Sequence, residues 1–372
     1  MEEFEVWKGK LQHQYLATGQ QGYANAAPVV YPEGMDVIDC ALGTNPLGTP
    51  PAVRRFLEGL QDVPVCGYPQ PEPEDLKKAI ASKYASWCIL PEHVLVSGGS
   101  MGVLITLARL MLSPGTSFAG ISPQFTDAVL QMLYTGASYQ PLRSKGPRFP
   151  IEPDLLQQLT KDGSSVIYID RPNNPTGQVI SLDITEQVAR NAMEKKIWVI
   201  IDEAYGDFLP DEESAASIDL PNIVTCRSFS KGLGGAGLRV GFAVSRSPEL
   251  SKAFRTLQPP FAVGILDSLL AEAILGDESY LDETRKYVRA AKEKMIDALN
   301  EKKGLTVAET DLRVPIALLT REEGDLAAGL AAAGISCEPG LGFFDLDARS
   351  VRLRVPSPAQ LNEFLRRIGS MQ

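Results

Sequence analysis

Only two histidines, His13 and His93, occur in 372 residues. That scarcity makes histidine-rich metal sites and serine–histidine triads poor fits. Cysteine is also sparse. Five are scattered at 40, 66, 88, 226 and 337, with no C-x-x-C pair. An odd, dispersed set argues against a disulfide framework or a zinc site, and it suits a reducing compartment. Positive charge is in deficit: 36 Lys and Arg against 46 Asp and Glu leave −10. General binding to nucleic-acid backbones is therefore not expected, although a local basic pocket stays open. A long apolar run is missing too. The most apolar stretch, 94–112, is interrupted by Ser97, Gly98, Gly99, Ser100, Gly102 and Arg109, so no membrane span is expected. The opening MEEFEVWKGK lacks the basic-then-apolar leader pattern. A cytoplasmic chain is expected.

What is present is an alternation of apolar runs and helical periodicity. Residues 1–36 read as irregular. A strand is expected over Asp36–Leu42, ending at the turn Gly43-Thr44-Asn45-Pro46-Leu47-Gly48. Helices are expected over Pro51–Leu60 and Glu74–Ser86, with a proline-rich loop from Cys66 to Pro73 between them. Strands are then expected at Val94–Ser97, Ser117–Ile121, Val166–Ile169, Ile197–Ile201, Ile223–Cys226 and Leu238–Val244. Helices at Met101–Leu112, Thr126–Tyr134 and Leu182–Lys195 alternate with them. Fully apolar strands between helices indicate a mostly parallel sheet covered on both faces. Beyond Pro259-Pro260 the pattern changes to long helices at Leu266–Leu275 and Tyr280–Leu299. After these come strands at Leu305–Ala308, Val314–Leu319 and Ser350–Val355, and helices at Gly324–Ala333 and Pro358–Ile368. A second, smaller α+β domain is expected there.

Five segments carry chemistry. Arg227-Ser-Phe-Ser-Lys-Gly-Leu-Gly-Gly-Ala-Gly-Leu-Arg239 holds one lysine in a glycine-rich turn after a strand. A fixed amine of that kind suits imine chemistry, and Ser228, Ser230 and Arg239 are types that hold a phosphate beside it. Read alone, Lys231 fits a solvated loop lysine better. Gly232, Gly234 and Gly237 also match G-x-G-x-x-G, but a strand rather than a helix follows, so nicotinamide binding is rejected. In Val199-Ile-Ile-Asp-Glu-Ala-Tyr205, Asp202 stands at the carboxyl end of an apolar strand, where open α/β sheets place ligands. A buried carboxylate there needs a cation, and an N-cap is the plain alternative. Asp170-Arg-Pro-Asn-Asn-Pro-Thr-Gly177 is a tight loop that either presents Asn174 to a ligand oxygen or is an ordinary Asn-Pro turn. Val96-Ser-Gly-Gly-Ser-Met-Gly102 puts free N–H groups at a helix start, a ready phosphate site if it is more than a plain strand-to-helix turn. Arg352 and Arg354 share one strand face, either to fork onto a carboxylate or to lie on a surface.

In order and spacing, G-G-S, P-N-N-P-T-G, D-E-A-Y, S-F-S-K, G-L-R and the late arginine resemble the fold-type I pyridoxal-phosphate enzymes of aminotransferase class I/II. The nearest likeness is to histidinol-phosphate aminotransferases and threonine-phosphate decarboxylases. The resemblance implies an aspartate aminotransferase-like fold, with a mostly parallel seven-stranded sheet flanked by helices and a smaller α+β C-terminal domain. It implies an N-terminal segment 1–36 on the small domain, a cofactor-binding domain 37–260 and a small domain 261–372. Pyridoxal 5′-phosphate is the implied cofactor, with Lys231 bonded to it and Asp202 paired with its ring nitrogen. Tyr205 and Asn174 would bond its ring oxygen, and Phe125 would stack on the ring where relatives often carry Tyr. Ser100, Met101, Ser228, Ser230 and Arg239 would hold its phosphate. Tyr68 would reach the cofactor of a second subunit, Arg352 would clamp the substrate α-carboxylate, and Asn45 would lie in the loop flanking the substrate.

The implied activity is amino transfer between a small amino acid or amino-alcohol phosphate and a 2-oxo acid, in a homodimer. Decarboxylation of an amino-acid phosphate is the alternative, and a ligand-sensing domain is a third reading. Three features depart from the family pattern. Met101 and Gly102 follow Ser100 where acids are usual, the turn from Gly232 is unusually rich in glycine, and Arg171 precedes Pro-Asn-Asn. Arg171 is expected to pair with Asp170 or a surface acid, or else to meet an acidic substrate group.

Overall fold

A computed structural model describes residues 22, 29–60, 63, 65–144, 146–161 and 163–371. Most of the segment 1–36 lies outside the described residues. The larger sheet is built from β1 (Val94–Gly98), β2 (Ser117–Ser122), β3 (Ser138–Arg143), β4 (Val166–Asp170), β5 (Trp198–Glu203), β6 (Ile223–Ser228) and β7 (Val240–Ser245). Their order is β1-β7-β6-β5-β4-β2-β3. All neighbours run parallel except at β7, which is antiparallel to both β1 and β6.

The apolar strands follow from coverage on both faces. Val166, Tyr168 and Ile200 pack on Val103, Leu104 and Leu107 of α1 (Gly99–Met111). The alternate residues Ile167, Ile169, Val199 and Ile201 pack on Val188, Ala189 and Ala192 of α2 (Leu182–Glu194).

The smaller sheet, β10-β11-β9-β8, is antiparallel throughout. It comprises β8 (Leu305–Val307), β9 (Ile316–Arg321), β10 (Glu338–Pro339) and β11 (Ser350–Arg354). Val351 and Leu353 bury against Met295 and Leu299 of α3 (Glu278–Asn300) and against Phe364 and Ile368 of the last helix, Leu361–Ser370. Among the described residues no helix is long and apolar enough to cross a membrane.

The expected strand Asp36–Leu42 is not one. Ile38 makes a single bridge to Ile335. The carbonyls of Asp39, Ala41 and Leu42 accept from the guanidinium groups of Arg352 and Arg354. Side-chain donors thus take three of its carbonyls, between backbone bonds from Ser336 to Ile38 and from Arg354 to Cys40, and no regular ladder forms. Strand β3 and the helices Pro153–Gln158 and Pro248–Leu257 were not foreseen. β3 is a half-exposed edge containing Pro141, so it lacks an apolar run. The helix at 248 did carry a signal: Ser247 caps it, accepting from the Leu250 N–H at 3.1 Å, and Pro248 opens it.

Candidate active site

The carboxyl ends of β4, β5 and β6 open onto one cavity of about 210 Å³. Asp170 and Asp202 are register partners on adjacent parallel strands, so both carboxylates reach the same side of the sheet. Asp202 Oδ2 accepts from the Tyr168 hydroxyl at 3.0 Å, and its Oδ1 accepts from the Ala204 N–H at 3.0 Å. Burial nevertheless pushes its carboxyl up to about 6, against the pull of those bonds and of Lys231. Asp170 Oδ2 accepts from the N–H groups of Phe125 (3.0 Å) and Asn174 (2.9 Å), and Oδ1 accepts from the Asn173 amide (3.0 Å). It thereby fixes two expected cofactor neighbours from one point, while burial raises it to about 7. Asp170 was missed as a site residue. Its signal is the one that marks Asp202: an acid closing an apolar strand.

Glu203 follows Asp202, so the strand's alternation turns it to the opposite face. There Arg171 Nη1 is 2.9 Å and Arg227 Nη1 is 3.1 Å from its carboxylate, and Arg227 Nη2 is 2.6 Å from Asp207. Arg171 therefore neither pairs with Asp170 or a surface acid nor meets a substrate. It is 1% exposed, and its Nε–H donates to the Ile180 carbonyl at 2.7 Å. The guanidinium of Arg227 lies 5.0 Å from the Trp87 ring. This buried cluster holds the two loops after β4 and β5 from behind.

The loop 229–239 brings Lys231 to the cavity. β7 starts only at Val240, because Leu238 ends a short 3-10 turn and Arg239 sits at φ +53°. That geometry turns Arg239 back, so that Nη1 donates to Ser230 Oγ at 3.4 Å and to the Ala236 carbonyl at 3.0 Å. Ser228 Oγ accepts from the Ser230 N–H at 3.1 Å. The start of α1 faces this group without any side-chain cap, so its first N–H groups are available to a ligand. Two glycines permit the approach. A Cβ on Gly99, at φ +75°, would stand 2.9 Å from Arg239 Nη2, and one on Gly241 would stand 2.2 Å from the Ser100 nitrogen. Ser100, Met101, Ser228, Ser230 and Arg239 thus line one end of the cavity, with Lys231 beside them.

Phe125, Asn174 and Tyr205 line the rest, with Leu42 and Thr44. The Tyr205 hydroxyl is buried and has no hydrogen-bond partner among the described residues. Its ring centroid is 5.3 Å from Lys231 Nζ. Asn174 Oδ1 accepts from Arg352 Nη1 at 3.0 Å, and Arg352 Nη2 donates to the Ala41 carbonyl at 2.7 Å. Arg354 shares that strand face as expected, but it is buried and bonds Leu42, Val355 and Asp39. Its role is to strap segment 39–42 in place.

Three expectations stand outside the cavity's lining: Arg352, which meets it through its bond to Asn174, and Asn45 and Tyr68. Asn45 does not line it, because its amide donates to the Gly232 carbonyl (2.8 Å) and to Thr284 Oγ1 (3.1 Å). It ties the neighbouring loop to the lysine turn instead. Tyr68 is 85% exposed and stacks on Phe261 with centroids 5.0 Å apart, outside this chain's cavity.

The family model for aminotransferase class I and II matches residues 35–368. A histidinol-phosphate aminotransferase of Nitratidesulfovibrio vulgaris is 32% identical over 255 residues, which is 67% of this chain and 66% of that protein. The match thus spans just under two thirds of that relative's length. The histidinol-phosphate aminotransferase of Sinorhizobium meliloti, solved with pyridoxal-5′-phosphate, superposes with a TM-score of 0.78 at 20% identity, covering 95% of this chain and 97% of that one. Aspartate aminotransferase from Thermus thermophilus, solved with maleate, also gives 0.78 at 20% identity, covering 97% and 99%. At that identity these two structures bear on the fold, which is aspartate aminotransferase-like.

Proposed function

The chain belongs to the aminotransferase class I and II family, and we propose that it moves an amino group between an amino donor and a 2-oxo acid with pyridoxal 5′-phosphate. The donor in this reading is a small amino acid or an amino-alcohol phosphate, and the relatives are named for histidinol phosphate. The observation that carries this reading is the convergence of Lys231, Asp202, Tyr205, Asn174, Arg239 and the uncapped start of α1 on one cavity. Three features fit the cofactor. Burial holds the Asp202 carboxyl above its usual range, which a cation bonded to it would offset. The Tyr205 hydroxyl is buried without a partner among the described residues. Gly99 leaves room beside Arg239 that any Cβ would fill.

Lys231 is the amine placed to bind the cofactor aldehyde. Asp202 keeps a proton on the ring nitrogen, because an adjacent negative charge favours the cation. Tyr205 and Asn174 offer a hydroxyl and an amide to the ring oxygen, and Phe125 covers the ring. The N–H groups of Ser100 and Met101, the hydroxyls of Ser228 and Ser230, and the Arg239 guanidinium hold the phosphate. When bound, pyridoxal phosphate supplies the sink for the electron pair released as the substrate Cα–H bond breaks. Arg352 grips the substrate carboxylate and so sets which Cα bond is aligned to break. Lys231 would carry the Cα proton as base and then acid. Residues 37–260 form the cofactor-binding domain in this reading, and 261–372 form the small one. Two copies assemble through the face bearing Tyr68 and Phe261, in the cytoplasm, where unpaired cysteines persist.

The test is the visible spectrum of the purified protein with added cofactor. A coloured band bleached by an amino donor and restored by a 2-oxo acid is expected, and Lys231→Ala should lose it. Carbon dioxide release without an acceptor would instead indicate the decarboxylase, which neither the site nor the relatives favour. A protein that stays colourless in excess cofactor would refute the reading, and light scattering showing an active monomer would refute the dimer.

A further inference from the structure

Glu338 has no part in the chemistry above, yet it stands beside the substrate-binding arginine. Glu338 of β10 and Arg352 of β11 are direct register partners, so their side chains share one face of the small sheet. The Glu338 carboxylate is 3.8 Å from Arg352 Nη2, beyond hydrogen-bond range. It is 5% exposed, and no described residue donates a hydrogen bond to it. A nearly buried carboxylate in that state gains from a donor that arrives. Four charged groups act on it: Arg352 and Lys231 favour its ionised form, while Asp127 and Asp39 oppose it, and burial raises it overall. The register pairing and the 3.8 Å approach place Glu338 at the carboxylate clamp.

Among the described residues, the other cations are already committed. Lys231 and Arg239 are the basic side chains among the described lining of the cavity, and both serve the cofactor. Arg354 is bound to Asp39 and to carbonyls. Arg171 and Arg227 lie on the other face with Glu203. An amino-alcohol phosphate lacks an α-carboxylate, so among the described residues its dianionic phosphate would fall to Arg352, with Glu338 against it. A carboxylate monoanion needs only the one guanidinium fork.

We propose that Glu338 is a specificity-determining residue that accepts a hydrogen bond from a protonated aliphatic amine on the donor's side chain, making this enzyme select α-amino acids with such cationic side chains over phosphorylated donors. The inference rests on the aminotransferase reading and narrows its substrate class.

Single-turnover half-reactions of the cofactor-loaded enzyme test it, with lysine and ornithine, leucine, and histidinol phosphate as donors. The unsubstituted enzyme should prefer the cationic donors to histidinol phosphate. Glu338→Gln, which preserves shape, should lower kcat/KM for lysine and ornithine at least about tenfold, the scale of one lost charged hydrogen bond. It should raise kcat/KM for histidinol phosphate and leave leucine nearly unchanged. Glu338→Asp should keep the preference in weakened form, and its thermal midpoint and cofactor band check that folding and loading are intact. An equal change for all donors would show that Glu338 merely steadies Arg352, and would overturn the proposal. So would a preference for histidinol phosphate that the substitution leaves in place. A missing cofactor band, or a band that no donor bleaches, would instead strike the aminotransferase reading itself.

Discussion

Replacing Gly43 by alanine gives a sharp probe of the site, because the added atom has a defined place to collide. A Cβ there would lie 1.9 Å from the Tyr205 hydroxyl oxygen, 2.9 Å from Cζ and 3.2 Å from Lys231 Nζ. Real contacts of this kind do not fall below 3.0 Å, so the hydroxyl must recede by about 1.1 Å. It has little room to do so, since Tyr205 packs in a buried cluster with Phe208, Leu209, Val288, Val314 and Ile316. Gly43 does not adopt a left-handed conformation, so alanine carries no backbone strain there. The chain should fold, with overpacking costing about 1–3 kcal/mol. A displacement near 1 Å at a reacting centre lowers rates on the order of a hundredfold. Gly43→Ala should therefore bind cofactor but show kcat/KM reduced by about two orders of magnitude in the half-reaction. Tyr205→Phe removes the colliding oxygen, so adding Gly43→Ala to it should cost much less than it does in the parent. Parental activity in Gly43→Ala, or fully additive losses in the double variant, would refute this account of the cavity.

Arg227→Met should leave Asp207 without its guanidinium and Glu203 with Arg171, Ser214 and the Ala215 N–H, lowering stability by about 3–5 kcal/mol in urea unfolding. A loss under about 1 kcal/mol, the scale of an exposed pair, would show the cluster to be dispensable. Asp202 and Asp170 are raised by burial to about 6 and about 7 from 3.8. The folded, cofactor-free chain therefore holds protons that the unfolded chain releases, and stability should fall as pH rises from 4 to 7. Thermal midpoints across that range should show the slope, less steeply in Asp202→Asn and with cofactor bound, and a flat profile would count against the burial argument. Cys66 and Cys88 are exposed, while Cys40, Cys226 and Cys337 are buried, burial pushing the Cys337 thiol up to about 12. A thiol reagent should label two cysteines quickly in dilute protein. Labelling of Cys66, two residues from Tyr68, should slow as concentration rises and copies pair; a concentration-independent rate at both cysteines would argue against a dimer through that face.

Residue order alone carries the alternation of strands and helices, and it marks Lys231, Asp202, Asn174 and Arg239. These were legible because their signals are local. An acid closing an apolar strand, a lysine in a glycine-rich turn and a glycine turn opening a helix each mark one position within a few residues. Asp170 had the same signal and was passed over in favour of the loop that follows it. Other features have no local signature at all. The pairing of Arg171 with Glu203 depends on which face of β5 each acid takes. The tether from Asn45 to Gly232 closes a separation of 187 residues, and the bond from Arg352 to Asn174 closes one of 178. The segment 36–42 has a strand's composition, yet two arginines more than 300 residues away take its carbonyls. Glu338 became a neighbour of Arg352 only through the register of a two-residue strand. Periodicity and turn chemistry act along a few residues of chain and are written in their order. Which side chains meet across a cavity is decided by strand register and by the packing of one sheet's elements against another's, and only the folded chain has either.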